Sequence, residues 1–262
     1  MQVRFGSFCK ALTPVISVAL AAALSGCNAK VTVDGMEGKK LSELDLSGTP
    51  PEKLVLAGPD HVRIAEGPRL AITVDGDPQL AEHLRFTLKD GTLGILREKS
   101  WSKGALTVNV TMPAPKDLTL AGSGTIESAA LGHGASVTVA GSGDVRTGTL
   151  SGDTLKINVA GSGTVSGGGA VRDLDMTIAG SGNAELAALR ADHAKVTIAG
   201  SGTATMTSDG EVDATILGSG TVRVKGRARC KVSSMGSGKL VCESGNGQAT
   251  ASSSPSGSTG AQ

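Results

Sequence analysis

Residues 195–204 read Lys-Val-Thr-Ile-Ala-Gly-Ser-Gly-Thr-Ala, and this pattern returns throughout the second half of the chain. Its Gly-Ser-Gly triplet begins at Gly122, Gly141, Gly161, Gly180, Gly200, Gly218 and Gly236, at intervals of 19, 20, 19, 20, 18 and 18 residues. Four residues before each triplet stand Leu118, Val137, Ile157, Met176, Val196, Ala214 and Val232; two before stand Leu120, Val139, Val159, Ile178, Ile198, Ile216 and Ser234. The position between them is polar in every copy: Thr119, Thr138, Asn158, Thr177, Thr197, Thr215, Ser233. Alternation of apolar and polar residues with period two is the signature of a half-buried β-strand. Past the corner the apolar column resumes at Ile126, Val145, Val165, Ala184, Ala204, Val222 and Leu240, so each repeat supplies at least two strands.

One such strand buries too narrow a face to be stable alone, whereas stacked copies place each apolar column over the last and build a continuous core. The pattern therefore predicts an all-β chain, a single-stranded right-handed parallel β-helix of about seven Gly-Ser-Gly coils. With strands ~4.8 Å apart, seven coils make a rod of roughly 30 Å. The corner glycines admit positive φ and close backbone approach. Five residues before each triplet stand Asp117, Ser136, Lys156, Asp175, Lys195, Asp213 and Lys231, the last five alternating in sign. Stacking would set opposite charges side by side, each pair adding roughly a few tenths of a kcal/mol.

Composition agrees with a rod of small side chains. Of 262 residues 38 are Gly, 39% are hydrophobic, and aromatics amount to 3 Phe and 1 Trp with no Tyr, which leaves Ala, Val, Leu and Ile to fill the core. Lys+Arg total 25 and Asp+Glu 24, a balance that offers no basic surface for nucleic acid and no acidic tail.

The first residues carry an address. Arg4 and Lys10 precede an apolar run from Ala11 to Leu24, too short to cross a hydrocarbon core of ~30 Å and of the length of a secretion signal. It ends in Leu24-Ser25-Gly26-Cys27, which resembles the bacterial lipobox, where the Cys27 thiol takes a diacylglyceryl group before cleavage after Gly26. Asn28, rather than Asp, after the cysteine implies by the same resemblance onward transfer to the outer membrane of a Gram-negative cell. Acyl chains contribute ~0.8 kcal/mol per buried methylene, enough for a lipidated terminus to hold a protein on a membrane without a spanning helix. The alternative is a plain secretion signal with a cysteine at its end. Cys9 leaves with the signal and Cys27 takes lipid, so Cys230 and Cys242 remain as an even pair in an oxidising compartment, which suggests a disulfide. They lie six residues before and six after Gly236, where a cross-link would staple the final coil.

From Glu52 to Met112 alternation continues without the triplet, with turn signals at Gly58-Pro59, Gly67-Pro68, Asp75-Gly76 and Asp90-Gly91. These segments predict two or three irregular coils that start the same solenoid, with a short helix over Pro78–Leu84 capped by Asp77. The expected organisation is a signal peptide over 1–26, a tether over 27–51, the solenoid over 52–242 and a disordered Ser/Gly/Ala-rich tail over 243–262.

The irregular β segment, the Asp90-Gly91-Thr92-Leu93 turn, the Val108 to Pro113 strand and the serial Gly-Ser-Gly corners resemble the head GIN domain family of auto-transporter adhesins, over about residues 50 to 242. That resemblance implies a right-handed β-helix, frequently lipid-anchored or secreted, in a family described as adhesins whose biochemical role is largely unassigned.

Parallel β-helices also host glycan lyases and hydrolases, which need clustered carboxylates and aromatic platforms for sugar rings. Here Glu127, Asp144, Glu185 and Asp209 are scattered along the rod, with only Glu127 and Glu185 sharing an offset from the triplet, three repeats apart, and His61, His83, His133 and His193 share no offset from it. A calcium-binding repeat needs an acidic ligand in every corner, and only Asp144 follows a triplet directly. No Gly-Lys-Ser or Gly-Lys-Thr follows a corner to form a phosphate loop. No cofactor and no metal are expected. Trp101 reads two ways, as a cap folded onto the first coils or as a contact residue for a partner. The leading expectation is a non-enzymatic, lipid-anchored envelope protein, an adhesin-like binding or scaffold module that presents a repetitive face to a macromolecule or surface. A glycan-active enzyme and a structural envelope component without a dedicated ligand are the alternatives.

Overall fold

The computed structural model describes residues 38–98 and 104–243. Its first strands, β1 (Lys53–Ala57) and β2 (His61–Glu66), meet at a corner made by Gly58, Pro59 and Asp60. There follow β3 (Ala71–Asp75), one helical turn α1 (Pro78–Ala81), β4 (Leu84–Lys89), β5 (Thr92–Arg97) and β6 (Thr107–Met112). The regular part begins with β7 (Asp117–Gly122), β8 (Thr125–Ala130) and β9 (Ala135–Gly141). Long strands that bend while remaining paired come next: β10 (Asp144–Gly161), β11 (Thr164–Gly180), β12 (Asn183–Gly200) and β13 (Thr203–Gly218). The last coils are β14 (Thr221–Lys225), β15 (Arg229–Gly236) and β16 (Lys239–Glu243).

The predicted stacking of the triplet columns holds, with the register shifting only away from the corners, between Arg146 and Thr149, Ser166 and Gly168, Leu186 and Arg190, and Ala191 and His193. Gly122 pairs with Gly141, and the stack continues through Gly161, Gly180, Gly200 and Gly218 to Gly236. Every pairing from β7 onward is parallel. The columns at Leu118 to Ala214 and Leu120 to Ile216 are buried, as is the column from Ile126 to Val222 beyond the corner. The chain is thus a parallel β-solenoid of about 7 turns.

Steric need explains the repeat. At Gly180 φ is +121°, and an added Cβ would lie 2.4 Å from the Gly161 carbonyl oxygen of the coil below. Gly200 meets Gly180 at 2.2 Å in the same way. The third triplet glycine points into the core: a Cβ on Gly143 would lie 2.4 Å from Gly124 O and 2.6 Å from Leu120 Cδ2. Both glycines are therefore required by the stack itself, while the serine between them faces solvent.

The N-terminal end departs from simple winding. β1 lies between β5 and β7, and β2 between β6 and β8, so the chain enters one coil below the end of the rod. It then climbs outward to lay down β5 and β6 and returns to continue at β7. The irregular segment is expected as two or three coils that start the same solenoid; within it β3 runs antiparallel to β6 and β4 antiparallel to β5. The cause is local. Asp90 and Gly91 have φ of +49° and +71°, the left-handed pair of a two-residue hairpin turn, and a hairpin can only reverse the chain. The two antiparallel strands close this end.

The corner at Gly58-Pro59-Asp60 is a triplet in disguise. Ala57 pairs with Ala121 and His61 with Thr125, so Asp60 occupies the place of the third glycine. Its carboxylate is buried against Arg97, with both side chains 1% exposed. Arg97 donates through Nε to Asp60 Oδ2 at 3.0 Å and through Nη2 to Oδ1, and the Leu106 amide also donates to Oδ1 at 2.8 Å. The Arg97 Nη1 group donates to Gly104 O at 2.8 Å. With its groups hydrogen-bonded, the ion pair meets the condition for tolerating burial.

Helix α1 is shorter than the predicted Pro78–Leu84 because Leu84 begins β4; its cap is as expected, the Gln79 amide donating to Asp77 Oδ1 at 2.8 Å. Of the stretch expected as a tether, residues 38–51 lie on the domain. Lys39 and Phe86 exchange two backbone hydrogen bonds of 2.8 Å, and Leu41, Leu44 and Leu46 pack on the core.

Candidate functional site

Each strand that leads into a corner turns alternate positions outward, and register makes these positions into columns. One column runs Thr119, Thr138, Asn158, Thr177, Thr197, Thr215 and a second runs Ala121, Ala140, Ala160, Ala179, Ala199, Leu217. Beside them lie charged rungs: Asp173 with Asp175, His193 with Lys195, Glu211 with Asp213, and Arg229 with Lys231, on successive strands. The sign alternates from rung to rung.

The ladder stands in register, yet from Lys156 to Lys231 no two neighbours of its own column form a direct ion pair among the described residues. Lys231 reaches diagonally to Glu211 instead. That hydrogen bond, with the attraction of the ammonium, holds the Glu211 carboxyl below the usual carboxylate range, and Glu211 raises Lys231 above the ordinary lysine value. Asp209 is another node: the Arg227 amide donates to Oδ1 at 3.0 Å and Arg190 pairs with Oδ2, which together hold the carboxyl low.

One dent lies beside the charged rungs and another on the strands past the corner. The first, of about 200 Å³, is lined by Asp173, Asp175, His193, Lys195, Glu211 and Asp213. The other, of about 360 Å³, lies between Arg63, Glu127 and Arg146. In the second the Glu127 carboxylate is held from both sides, by Arg63 Nε at 3.3 Å and Arg146 Nη1 at 3.4 Å. Asp144 is engaged by Arg146 Nη2 at 3.2 Å. Glu127, Asp144 and Asp209 are thus each committed to arginines. Among the described residues no group of three or more His, Cys, Asp or Glu is placed to hold a metal ion, and no helix is long and apolar enough to cross a membrane.

Of the residues singled out from sequence, Cys230 and Cys242 form a disulfide with Cα atoms 6.7 Å apart, joining β15 to β16 within the last coil. The corner glycines sit as described above. Cys27 and Trp101 lie outside the described residues. Sequence reasoning missed the Asp60–Arg97 pair. Its signal was an aspartate in the third position of a degenerate corner.

A family model described as "Putative auto-transporter adhesin, head GIN domain" matches residues 50–228. The chain belongs to the head GIN domain family. The matched span of this head GIN domain runs from just before β1 to just before β15, so the disulfide-bonded coil lies beyond it. A "putative adhesin" from Bacteroides fragilis NCTC 9343 shares 20% identity with a TM-score of 0.64, covering 74% of this chain and 92% of that one. A "putative lipid binding protein" from Parabacteroides distasonis ATCC 8503 shares 23% identity with a TM-score of 0.58, covering 74% and 93%. A second protein of that organism, a "putative adhesin", shares 18% with a TM-score of 0.51, covering 75% and 93%. These likenesses establish a common fold. No curated protein matches.

Proposed function

We propose that this chain is a lipid-anchored envelope protein of the outer membrane that acts by contact, as a non-enzymatic adhesin-like module. The observation that carries the reading is the flank of the rod. Thr, Ala and charged columns repeat from coil to coil, which suits recognition spread over many equivalent contacts. An enzyme needs a pair of carboxylates free to exchange protons at one place. Of the four carboxylates singled out in the sequence, three, Glu127, Asp144 and Asp209, are held by arginines. The names of similar proteins, two called "putative adhesin" and one "putative lipid binding protein", support a contact role without assigning a ligand.

The anchor is proposed at Cys27, within the lipobox-like Leu24 to Cys27. In a Gram-negative host expressing the full chain, an alkyne fatty acid should label the wild type and leave Cys27→Ala unlabelled; label retained by the variant overturns the anchor. Contact is tested by probing glycan and matrix-protein arrays with the full chain and assaying every bound glycan for turnover. Binding without turnover is expected. Turnover abolished by one carboxylate substitution would replace this reading with a glycan-active enzyme.

A further inference from the structure

The two ends of the rod are not alike. At the N-terminal end the edges are short antiparallel strands, Lys39 bridges Phe86 on β4, and Leu41, Leu44 and Leu46 pack on the core. At the C-terminal end β15 pairs only with β13 and β16 only with β14, so each leaves one edge without a strand among the described residues. The large exposed hydrophobic side chains gather here: Leu217 at 44%, Val232 at 41%, Met235 at 72% and Val241 at 42% exposed. Val232 belongs to a column that is buried in every earlier coil. An unpaired edge with apolar neighbours is a template for a further strand.

We infer that this end is a docking surface for a second copy of the chain, with β16 pairing antiparallel to β16 of the copy about a two-fold axis. The sequence of β16 is Lys239-Leu240-Val241-Cys242-Glu243. Read antiparallel against itself, it sets Val241 against Val241 and Lys239 against Glu243 at both ends, two ion pairs of opposite sign related by the axis. A closed two-fold contact must be self-complementary in this way. Stacking this end on the N-terminal end of another copy would have to displace the segment that carries Lys39, and would lose the match of charge. The footprint is one coil, smaller than the ~1,600 Å² of a standard interface, so a weak, concentration-dependent dimer follows.

Sedimentation velocity of the purified full chain over a range of concentrations, with the Cys230–Cys242 bond confirmed by mass, tests this. The wild type should show a monomer–dimer equilibrium. Lys239→Glu and Glu243→Lys should each weaken it at least about tenfold by setting like charges opposite each other. An equimolar mixture of the two variants should restore dimers, as should the double exchange in one chain, while Val241→Arg should give monomer throughout. Circular dichroism identical to wild type shows that each variant is folded. Wild type that stays monomeric at every concentration, single exchanges that leave association unchanged, or a mixture that fails to restore it would each overturn the inference.

Discussion

The carbonyl oxygen of Gly161 lies where a methyl group on Gly180 would have to go, 2.4 Å from the Cβ position. Strain at positive φ costs ~1–3 kcal/mol and overpacking costs a similar amount. Gly180→Ala should therefore lower stability by roughly 2–5 kcal/mol, whereas exchange of the solvent-facing Ser181 to Ala should stay within about 0.5 kcal/mol. Urea midpoints of the two variants decide it. Asp60 and Arg97 make the second residue-scale case. Removing one partner strands a buried charge, so Asp60→Ala should cost about 3–5 kcal/mol, while a double replacement by apolar residues of similar volume, Asp60→Leu with Arg97→Met, should recover most of that loss. If single and double variants unfold at the same urea concentration, the pair does not act as a unit.

The terminal coil is the element whose stability rests least on burial. Residues 231–236 of β15 and Ser237 after it are exposed throughout, while the disulfide and the Lys231–Glu211 pair tie the strand down. The bridge joins residues 12 apart and should contribute about 3 kcal/mol in the chain-entropy view. Reduction should release amide protection in β15 and β16 while β10 to β12 stay protected, as hydrogen exchange would report. Acid should act at the same place. Glu211 and Asp209 are held low in the folded state, so their stabilising share is present above the ordinary carboxylate values and is lost as the pH falls through the lowered folded values. Lys231 is held high, so its share is present below the ordinary lysine value and is lost as the pH rises through the raised folded value. Exchange in β13 to β16 should thus quicken at both extremes. Uniform loss of protection along the rod would contradict this.

At the scale of the whole molecule each coil touches only its neighbours, so stability is close to a sum over coils and their interfaces. Deleting residues 181–200 removes one repeat and leaves Gly180 followed by Ser201 and Gly202, with the triplet intact. The shortened chain should fold with the same β-rich circular dichroism. Its Asp173 and Asp175 rung would then face Glu211 and Asp213, like charge on like charge. Added salt should consequently raise its melting temperature more than that of the full chain, because exposed charges are screened over ~10 Å at 0.1 M. Deleting ten residues instead would break the register of every later column and abolish the cooperative transition.

What the sequence determined by itself is the repeating part: the period-two columns, the corner at each triplet, the stacking of Gly122 through Gly236 and the use of Cys230 and Cys242 on the last coil. These were legible because every coil poses the same steric problem, and repetition makes one solution visible many times. Only the tertiary structure decided the order of the first coils, the antiparallel β3 and β4, and the partnership of Asp60 with Arg97. Those features occur once, so no periodicity announces them, and they depend on contacts between segments distant in sequence. The Asp90-Gly91 turn marks a break in the sequence pattern, but the direction of β4 is set by its pairing back on β5. The open C-terminal edge is likewise a tertiary fact, since Val232 occupies a core position by pattern and becomes exposed because no further coil among the described residues lies over it.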